Sequence, residues 1–372
     1  MRVVFIIPSL ALGGAERHLV RLVKAVKEYM KSVDIVVLSD ADDAVLSEVP
    51  HGTGIYILRS TTSASPFLWL RVSRLLMKLE PEVTVGWSTY ANLVAIVATR
   101  FSSSRKVVLT ELNYVPKICA RSRTGRLRRY AVLSLIKSIY GIADVIAANS
   151  ADNVRFLSKF IGRGPTYSYL PNPIDVSMAN HLATMKPEIR PADVEGPHIL
   201  AIGRLQPQKG FDVLLKALAL VRRKLAWRLL LVGDGPEKER LHHLARSLDI
   251  EHAVDWVGAV TNPFPYYLWA DLVVLPSRFE GFPNVALEAM SCSRTVICAD
   301  CKTGPKELTR NGKYGVLVRP EDPEMLAAAI VNWGQKADER NRLGALAQEH
   351  IRATYDIGQV KKLCAHTLCL SD

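Results

Sequence analysis

The chain has 372 residues, more than one hydrophobic core usually supports, so two domains of ordinary size are expected. With 49% hydrophobic and 23% charged residues, its composition excludes a disordered or fibrous chain. The net charge of +12 is concentrated in the first half, because residues 1–190 carry +11 and residues 191–372 carry +1. This asymmetry indicates an anionic partner for the first half, a membrane surface or a polyanion, with an unpartnered basic surface as the alternative.

The chain opens with MRVVFIIPSLALGGA, which can be interpreted as a short signal peptide or as a buried first strand with a glycine turn. The strand is favoured, because GGAERHLVRLVKAVKEYM continues as an amphipathic helix. No run of eighteen apolar residues occurs, so a membrane span is not expected.

The six cysteines are too few for a disulfide scaffold in a chain of this length. Cys298 and Cys301 form a CxxC pair, but no second pair and no histidines follow at zinc-ligand spacing. Reduced thiols of a cytosolic protein are therefore favoured over a zinc site.

Short apolar runs alternate with helical stretches in both halves of the chain. The predicted strands are RVVFIIPS, DIVVLS, VTVGWS, KVVLTE and VIAANS, and then HILAIGRL, WRLLLVGDGP, AVDWVGAV, ADLVVLPS, TVICAD and GVLVRP. This alternation predicts an α/β protein with two doubly wound parallel-sheet domains that face each other across a cleft. The predicted limits are a first domain at 1–170, a proline-rich linker at 171–197, a second domain at 198–345, and a helical tail at 346–372 that packs back on the first domain.

Ligands bind at the carboxyl edge of such sheets, so the loops that follow strands are the candidates for a site. In SLALGGAERH, Gly13 and Gly14 would let backbone amides approach a phosphate at a helix start. In GRLQPQKGFD, Arg204 and Lys209 would neutralise a diphosphate, with a solvated basic loop as the alternative.

The third loop, RFEGFPNVALEAMS, precedes a helix predicted to begin near Pro283 or Asn284. Glu280 lies ahead of that helix, and Glu288 lies in its first or second turn on the cleft side. Pro283 has no N–H, so its neighbours supply the amide donors of an anion site. The nucleotide-binding residues expected there are Phe282, Asn284 and Val285. A nucleoside diphosphate sugar would use all these groups. Its diphosphate would bind the amides and the basic side chains, and its hydroxyls would bind the two acids, which would otherwise repel a phosphate ligand.

The chain resembles the retaining glycosyltransferases of family 4, which have the two-Rossmann-domain GT-B architecture. The matching stretches run in order along nearly the whole chain, and they are GGAER, NPID, GRLQPQKGFD, LVGDGPEKERL, EGFPNVALEAM and NGKYGVLV. The E-x7-E pair together with the upstream R-x4-K is specific in combination.

The resemblance implies transfer of a hexose or N-acetylhexosamine from a UDP-sugar to a hydroxyl, with retention of the α-configuration. Arg204 and Lys209 would bind the diphosphate and stabilise the leaving UDP. Glu288 would hold the ribose and Glu280 the donor sugar, while Gly13 and Gly14 would lie under the phosphates and acceptor. No DxD motif is evident, so no metal is expected, and no cofactor beyond the UDP-sugar donor.

The chain departs from the family pattern after the strand KVVLT, where many members carry a histidine. Here it reads TELNYVP, which makes Glu111, with Asn113 nearby, the candidate for an acceptor contact or weak base. A glutamate that caps the next helix is the alternative.

A basic amphipathic segment, ARSRTGRLRRYAVLSLIKSIYG, is expected to bind an anionic membrane surface. Its basic residues are Arg121, Arg123, Arg126, Arg128, Arg129 and Lys137. The acceptor would then be a sugar on a polyprenyl diphosphate, and the enzyme a peripheral protein on the inner face of the cytoplasmic membrane. The stretch TGPKELTRNG resembles bacterial members that assemble lipopolysaccharide, exopolysaccharide, capsule or glycoprotein glycans.

Rival interpretations are a nucleotide-sugar epimerase, a phosphorylase relative, and a non-catalytic protein that binds nucleotide sugars or polyanions. The epimerase needs other acids and histidines, and the phosphorylase needs a pyridoxal-binding lysine motif that is not found. Nucleic acid is not expected as a partner, because the basic cluster has few interleaved aromatic residues and no recognised module.

Overall fold

The computed structural model describes residues 1–11, 13–60, 66–102, 104–112, 126–189 and 195–369. The chain divides into two compact units. Unit 1 combines Met1–Pro173 with Ile357–Asp372, and unit 2 is Ile174–Asp356. The chain therefore leaves unit 1 once and returns to it for the last helix.

Unit 1 is built on a parallel sheet of seven strands in the order β3-β2-β1-β4-β5-β6-β7. The strands are β1 Arg2–Ile7, β2 Ser32–Val37, β3 Gly54–Ile57, β4 Val83–Trp87, β5 Lys106–Glu111, β6 Val145–Ala148 and β7 Thr166–Tyr169. In the central strand β1, Val3 is paired with Val33 on one side and with Val83 on the other. Such strands are apolar along their length because helices cover both faces of the sheet.

The helices of unit 1 bury alternate residues of β1. They are α1 Gly14–Val26, α2 Asp43–Ser47, α3 Pro66–Leu79, α4 Thr89–Thr99, α5 Arg126–Tyr140, α6 Ala151–Ile161 and, after unit 2, α15 Ile357–Cys369. Val3, Phe5 and Ile7 lie in one core with residues of α1 and α15. Val4 and Ile6 lie in a second core with residues of α3 and α4. This alternation is the two-residue period of a strand with both faces buried.

Unit 2 has a parallel sheet of six strands in the order β10-β9-β8-β11-β12-β13. The strands are β8 His198–Ile202, β9 Arg228–Val232, β10 Val254–Gly258, β11 Leu272–Leu275, β12 Thr295–Ala299 and β13 Val316–Val318. The helices are α7 Val176–Ala183, α8 Phe211–Val221, α9 Lys238–Ser247, α10 Phe264–Trp269, α11 Asn284–Ser291, α12 Pro305–Leu308, α13 Pro323–Gly334 and α14 Ala337–Thr354. This is the strand order of a doubly wound nucleotide-binding sheet.

The predicted fold class of two doubly wound parallel sheets is confirmed, and all eleven predicted strands are present. Two further strands, β3 and β7, were missed. Both are four-residue strands at the ends of the first sheet. Edge strands need not be apolar throughout, so TYSY in β7 did not resemble the central strands.

The segment predicted as a linker, 171–197, is partly helical. Asp175 caps α7 by accepting a hydrogen bond from the amide of Met178 at 2.8 Å. Val176 and Ala179 are buried in a core of unit 2. Pro171 and Pro173 therefore separate the end of β7 from the start of a packed helix, since proline interrupts regular secondary structure.

The predicted tail at 346–372 is divided between the units. Helix α14 ends at Thr354 within unit 2, and α15 begins at Ile357 within unit 1. The chain enters and leaves unit 2 at adjacent points, since the amide of Ile174 donates to the carbonyl of Tyr355 at 3.0 Å. Within the described ranges, no helix combines the length and the apolar character needed to cross a membrane.

Candidate functional site

The candidate donor site lies where the strand order of the unit 2 sheet reverses, between β8 and β11. At such a point the loops that follow the two neighbouring strands diverge and leave a crevice at the carboxyl edge. The loop after β8 carries Arg204 and Lys209, and the loop after β11 carries Glu280. The strand order thus places side by side two motifs that are distant in the sequence.

Gly210 permits the two loops to approach each other. It caps α8 with φ +67°, in the left-handed region that favours glycine. A Cβ added there would lie 2.1 Å from the carbonyl oxygen of Pro276, which directly follows β11. Any side chain at this position would push the loops apart.

Lys209 and Glu280 are in direct contact. The Lys209 Nζ atom donates to Glu280 Oε1 at 2.7 Å, and the Ser277 hydroxyl donates to the same oxygen at 2.6 Å. The Glu280 side chain is 5% exposed, and the Thr303 hydroxyl donates to the Glu280 carbonyl. Both the carboxylate and the backbone of Glu280 are therefore held before any ligand binds.

Arg204 differs from Lys209 because its side chain is exposed. The structure records no ion pair or hydrogen bond from its guanidinium to any of the described residues. It thus offers donors to an anion beside the Lys209–Glu280 contact.

Glu288 lies in the second turn of α11, which begins at Asn284 as the sequence predicted. Its side chain is 6% exposed, and the Tyr267 hydroxyl of α10 donates to Glu288 Oε2 at 2.9 Å. A buried carboxylate oriented in this way can accept hydrogen bonds from ligand hydroxyls only in a fixed direction.

The amide donors at the start of α11 differ in part from the prediction. The Asn284 amide donates to the Phe282 carbonyl at 3.0 Å and is not free, because the turn before the helix is tight. Within the described ranges, the amides of Phe282 and Val285 have no hydrogen-bond acceptor. These two amides, near the positive end of the helix dipole, are the better donors for an anion.

Gly13 and Gly14 lie in unit 1 at the start of α1. Gly13 is the N-cap with φ −162°, an extended conformation that any residue adopts. A Cβ added there would lie 2.3 Å from Glu16 Oε2, so a side chain has little room unless Glu16 moves. The Trp87 indole donates to the Ala15 carbonyl at 2.9 Å, which ties this helix start to the end of β4.

Glu111 is placed differently from the prediction of an acceptor contact. Its side chain is fully buried at the end of β5, and the Thr89 hydroxyl lies 3.0 Å from each of its carboxylate oxygens. The Tyr140 hydroxyl donates to Glu111 Oε2 at 2.9 Å, and burial together with the Glu111 charge raises the pKa of Tyr140. The carboxylate therefore joins α4 to α5 and presents no exposed surface to an acceptor.

Most of the basic segment expected at the membrane cannot be placed. Asn113, Arg121 and Arg123 lie outside the described residues. Arg126, Arg128 and Arg129 belong to α5, but their side chains also lie outside the described part. The Lys137 side chain is described and is exposed.

The CxxC cysteines lie beside this site and are buried. Burial raises the pKa of both Cys298 and Cys301, that of Cys301 to about 12. Both thiols are therefore protonated near neutral pH. The described residues contain no group of three or more His, Cys, Asp or Glu side chains arranged to hold a metal ion.

A groove of about 690 Å³ lies elsewhere in unit 2, between the outer face of α8 and the segment 319–324. Its lining includes Lys216, Arg223 and Arg319 but none of the predicted site residues. The groove is therefore separate from the paired lysine and carboxylates.

Sequence reasoning missed the side chains that hold the predicted ones, namely Ser277, Thr303 and Tyr267. Ser277 lies three residues before Glu280, and Thr303 lies in the TGP stretch. Both side chains could therefore have been found from the sequence, because each belongs to a recognised motif. Tyr267 had no such signal, because it is 21 positions from Glu288 and on another helix.

Two doubly wound sheets, with lysine, arginine and two carboxylates at the switch point of the second, define a two-domain α/β protein of the class that binds ligands at this edge of the sheet. The family models agree with this class. Residues 12–178 match the model described as Glycosyltransferase Family 4, and residues 196–335 match the model described as Glycosyl transferases group 1. The chain belongs to this glycosyltransferase family, and it is a glycosyltransferase with the GT-B fold.

Similar proteins agree with the family. A Campylobacter jejuni protein named N-acetylgalactosamine-N,N'-diacetylbacillosaminyl-diphospho-undecaprenol 4-alpha-N-acetylgalactosaminyltransferase is 27% identical, over 84% of this chain and 85% of its own length. The Rhizobium meliloti lipopolysaccharide core biosynthesis glycosyltransferase LpsD is 26% identical, over 92% of this chain and 91% of its own length. The crystal structure of Anabaena HepE in complex with UDP-glucose has a TM-score of 0.81 at 21% identity and covers all of both chains, which shows the shared fold.

Proposed function

We propose that the protein transfers a hexose or N-acetylhexosamine from a UDP-sugar to a sugar acceptor with retention of the anomeric configuration. The observation that carries this proposal is the Lys209–Glu280 contact of 2.7 Å at the switch point of unit 2. A cation beside a buried carboxylate suits a ligand that joins a diphosphate to a hydroxyl-rich sugar. The donor then lies with its anomeric carbon near this pair.

The proposed roles follow from the chemistry of each side chain. Arg204 and Lys209, with the amides at the start of α11, stabilise the negative charge that grows on the leaving UDP. Glu288 accepts hydrogen bonds from the ribose, and Glu280 from the donor sugar. These cations and the helix dipole supply the electrostatic stabilisation, so the transfer proceeds without a metal ion.

The proposed acceptor is a sugar on a polyprenyl diphosphate, used in bacterial surface polysaccharide or glycan assembly. The name of the Campylobacter relative supports this, because its acceptor is linked to diphospho-undecaprenol. Gly13 and Gly14, at the carboxyl edge of the unit 1 sheet, are proposed to lie beneath the acceptor and phosphates. Glu111 is proposed to act indirectly, by holding α4 and α5, because its carboxylate is buried.

The proposed peripheral membrane attachment is supported by the surface of α3 and the end of α4. Phe67, Met77 and Phe101 are exposed to 70%, 50% and 57%. The neighbouring basic side chains are also exposed, and these are Arg71, Arg74, Lys78 and Arg100. Helix α3 contains no acidic residue. A helix surface with exposed apolar and basic side chains suits the boundary of an anionic bilayer.

The proposal is tested by incubating the protein with a panel of UDP-sugars, with and without a lipid-linked sugar acceptor, and measuring UDP release. One donor is expected to give acceptor-dependent release, in EDTA as well as without it, and a product with the donor's anomeric configuration by NMR. Lys209→Ala or Arg204→Ala should lower the rate by at least about 10²-fold, as the loss of a preorganised donor does in other enzymes. Lys216→Ala is the matched control, since Lys216 is exposed on the outer face of α8. Wild-type rates in both site variants, or no UDP release with any donor, would contradict the proposal.

A further inference from the structure

Arg278 joins the two loops that carry Lys209 and Glu280. Its guanidinium makes two parallel hydrogen bonds to Asp212, NH1 to Oδ1 and NH2 to Oδ2, each of 2.9 Å. NH1 also donates to the Pro207 carbonyl at 2.6 Å. Pro207 and Asp212 flank Lys209, so Arg278 is bound on both sides of it.

Hydrogen bonds to backbone groups also connect the two loops. The Arg278 amide donates to the Gln208 carbonyl at 2.8 Å, and the Gln208 side-chain amide donates to the Phe279 carbonyl at 3.0 Å. Residues directly before Lys209 are thus bonded to residues directly before Glu280. A shift of one loop would break several of these bonds together.

Arg278 also binds a third segment of the chain, at Glu321. Arg278 Nε donates to Glu321 Oε1 at 2.9 Å, so four of the five guanidinium N–H groups are used. Glu321 has φ +59°, a left-handed conformation that is costly for a residue with a Cβ. Such a strained conformation persists only where contacts with neighbouring residues hold it in place.

The Arg278–Asp212 pair is a partly buried ion pair. The two side chains are 25% and 13% exposed. Burial by itself would raise the pKa of Asp212, but the hydrogen bonds and charge of Arg278 lower it below its ordinary value. Lysine cannot replace arginine here, because an ammonium group does not form the parallel two-bond contact.

We propose that Arg278 is a positioning residue, and that its pairing with Asp212 sets the spacing between Lys209 and Glu280 on which the rate of sugar transfer depends. This rests on the proposed function, in which both side chains act on one nucleotide sugar. Arg278 makes no contact with the donor in this scheme. A displacement of about 1 Å in a site of this kind costs up to about 10²-fold in rate, so loss of the pair should appear in kcat.

The test compares Arg278→Lys, Asp212→Asn and the double variant with a matched pair of the same chemistry. Arg228 and Asp255 form that pair, with Nε of Arg228 2.8 Å from Asp255 Oδ2 and exposures of 21% and 27%. They join β9 to β10 and touch none of the site residues. Arg228→Lys and Asp255→Asn measure what the loss of an ion pair does to stability alone.

For each variant, the measurements are kcat and KM for UDP release from the active donor, the Kd for UDP by calorimetry, and Tm. Arg278→Lys and Asp212→Asn should each lower kcat by about 10-fold or more and change the Kd for UDP by less than about 3-fold. The double variant should be little worse than Arg278→Lys alone, since that substitution already removes the Arg278–Asp212 interaction. The control variants should lose a similar amount of Tm at unchanged kcat.

An unchanged kcat in Arg278→Lys and Asp212→Asn would overturn the assignment while leaving the proposed function intact. An equal loss of kcat in the control pair would also overturn it, since the effect would then be general destabilisation. Failure of the wild-type protein to bind UDP would overturn the proposed function first, and this assignment with it. Asp212→Asn preserves side-chain size. If Arg278→Lys does not fold, the comparison of Asp212→Asn with Asp255→Asn still tests the assignment.

Discussion

At the scale of the residue, the candidate site is held by contacts with side chains that are remote in the chain. Lys209 and Glu280 are 71 positions apart, and Tyr267 and Glu288 are 21 apart. The carboxylates could be recognised from the sequence because their spacing and the glycine, proline and asparagine between them predict a loop and a helix start. Tyr267 could not, since it lies on another helix, 21 positions from the carboxylate that it contacts.

His18 shows a residue-scale effect on pH stability. Its side chain is 2% exposed, packed against Trp87 with ring centroids 4.9 Å apart. Burial, with a smaller effect of Arg21, lowers the pKa of His18 from 6.5 to about 3. Below about pH 6.5, His18 is therefore protonated in the unfolded chain but remains neutral in the folded protein. The folded state loses stability as the pH falls.

The free energy of unfolding should fall more steeply in the wild type than in His18→Gln between pH 6 and 4. The expected difference in slope is about 1.4 kcal/mol per pH unit, which corresponds to one proton. Urea denaturation at several pH values measures both slopes. His51→Gln, at an exposed position of the same unit, should keep the wild-type slope; equal slopes in His18→Gln and the wild type would contradict this prediction.

At the scale of the element, the final helix α15 completes unit 1 although it follows unit 2 in the chain. Val360, Cys364 and Leu368 are buried in the core that contains β1 and α1. The Thr367 hydroxyl donates to the Tyr169 carbonyl at 3.2 Å, which fixes the helix to β7. The sequence predicted a helical tail at 346–372 that packs back on the first domain, and the structure places the part from Ile357 onward in unit 1.

Leu368→Ala should lower the free energy of unfolding of unit 1 by about 2–5 kcal/mol, because the side chain is fully buried and leaves a cavity. Leu363 on the same helix is 44% exposed, and Leu363→Ala should change the stability by less than about 0.5 kcal/mol. Hydrogen exchange of the amides in β1 and α1, with urea denaturation, measures the effect. Equal effects of the two variants would show that α15 is not part of this core.

At the scale of the whole molecule, two sheets with the same central order differ in charge. Both have the order 3-2-1-4-5-6, and the first adds β7 at its edge. Residues 1–190 carry +11, while residues 191–372 carry +1. The motifs of the candidate donor site in unit 2 fall in the nearly neutral part and the proposed membrane surface in the basic part.

The basic half should bind vesicles that contain phosphatidylglycerol and release them as the salt concentration rises. Phe67→Ser should weaken sedimentation with these vesicles, and so should replacement of Arg126, Arg128 and Arg129 by Glu. Leu346→Ser is the control, since Leu346 is 44% exposed on α14 of unit 2. Equal sedimentation with phosphatidylcholine vesicles, or an unchanged result in the site variants, would contradict the membrane surface.

The sequence by itself determined the class of fold and eleven strands, and it singled out the motif residues of the candidate donor site. It could do so because strand period, turn residues and helix starts are local properties, which depend on neighbours a few positions away. The tertiary structure alone decided the edge strands, the point at which the C-terminal tail divides between the units, the burial of Glu111 and the Arg278 contacts. These depend on strand order and side-chain direction, which bring together residues far apart in the chain and which no local pattern contains.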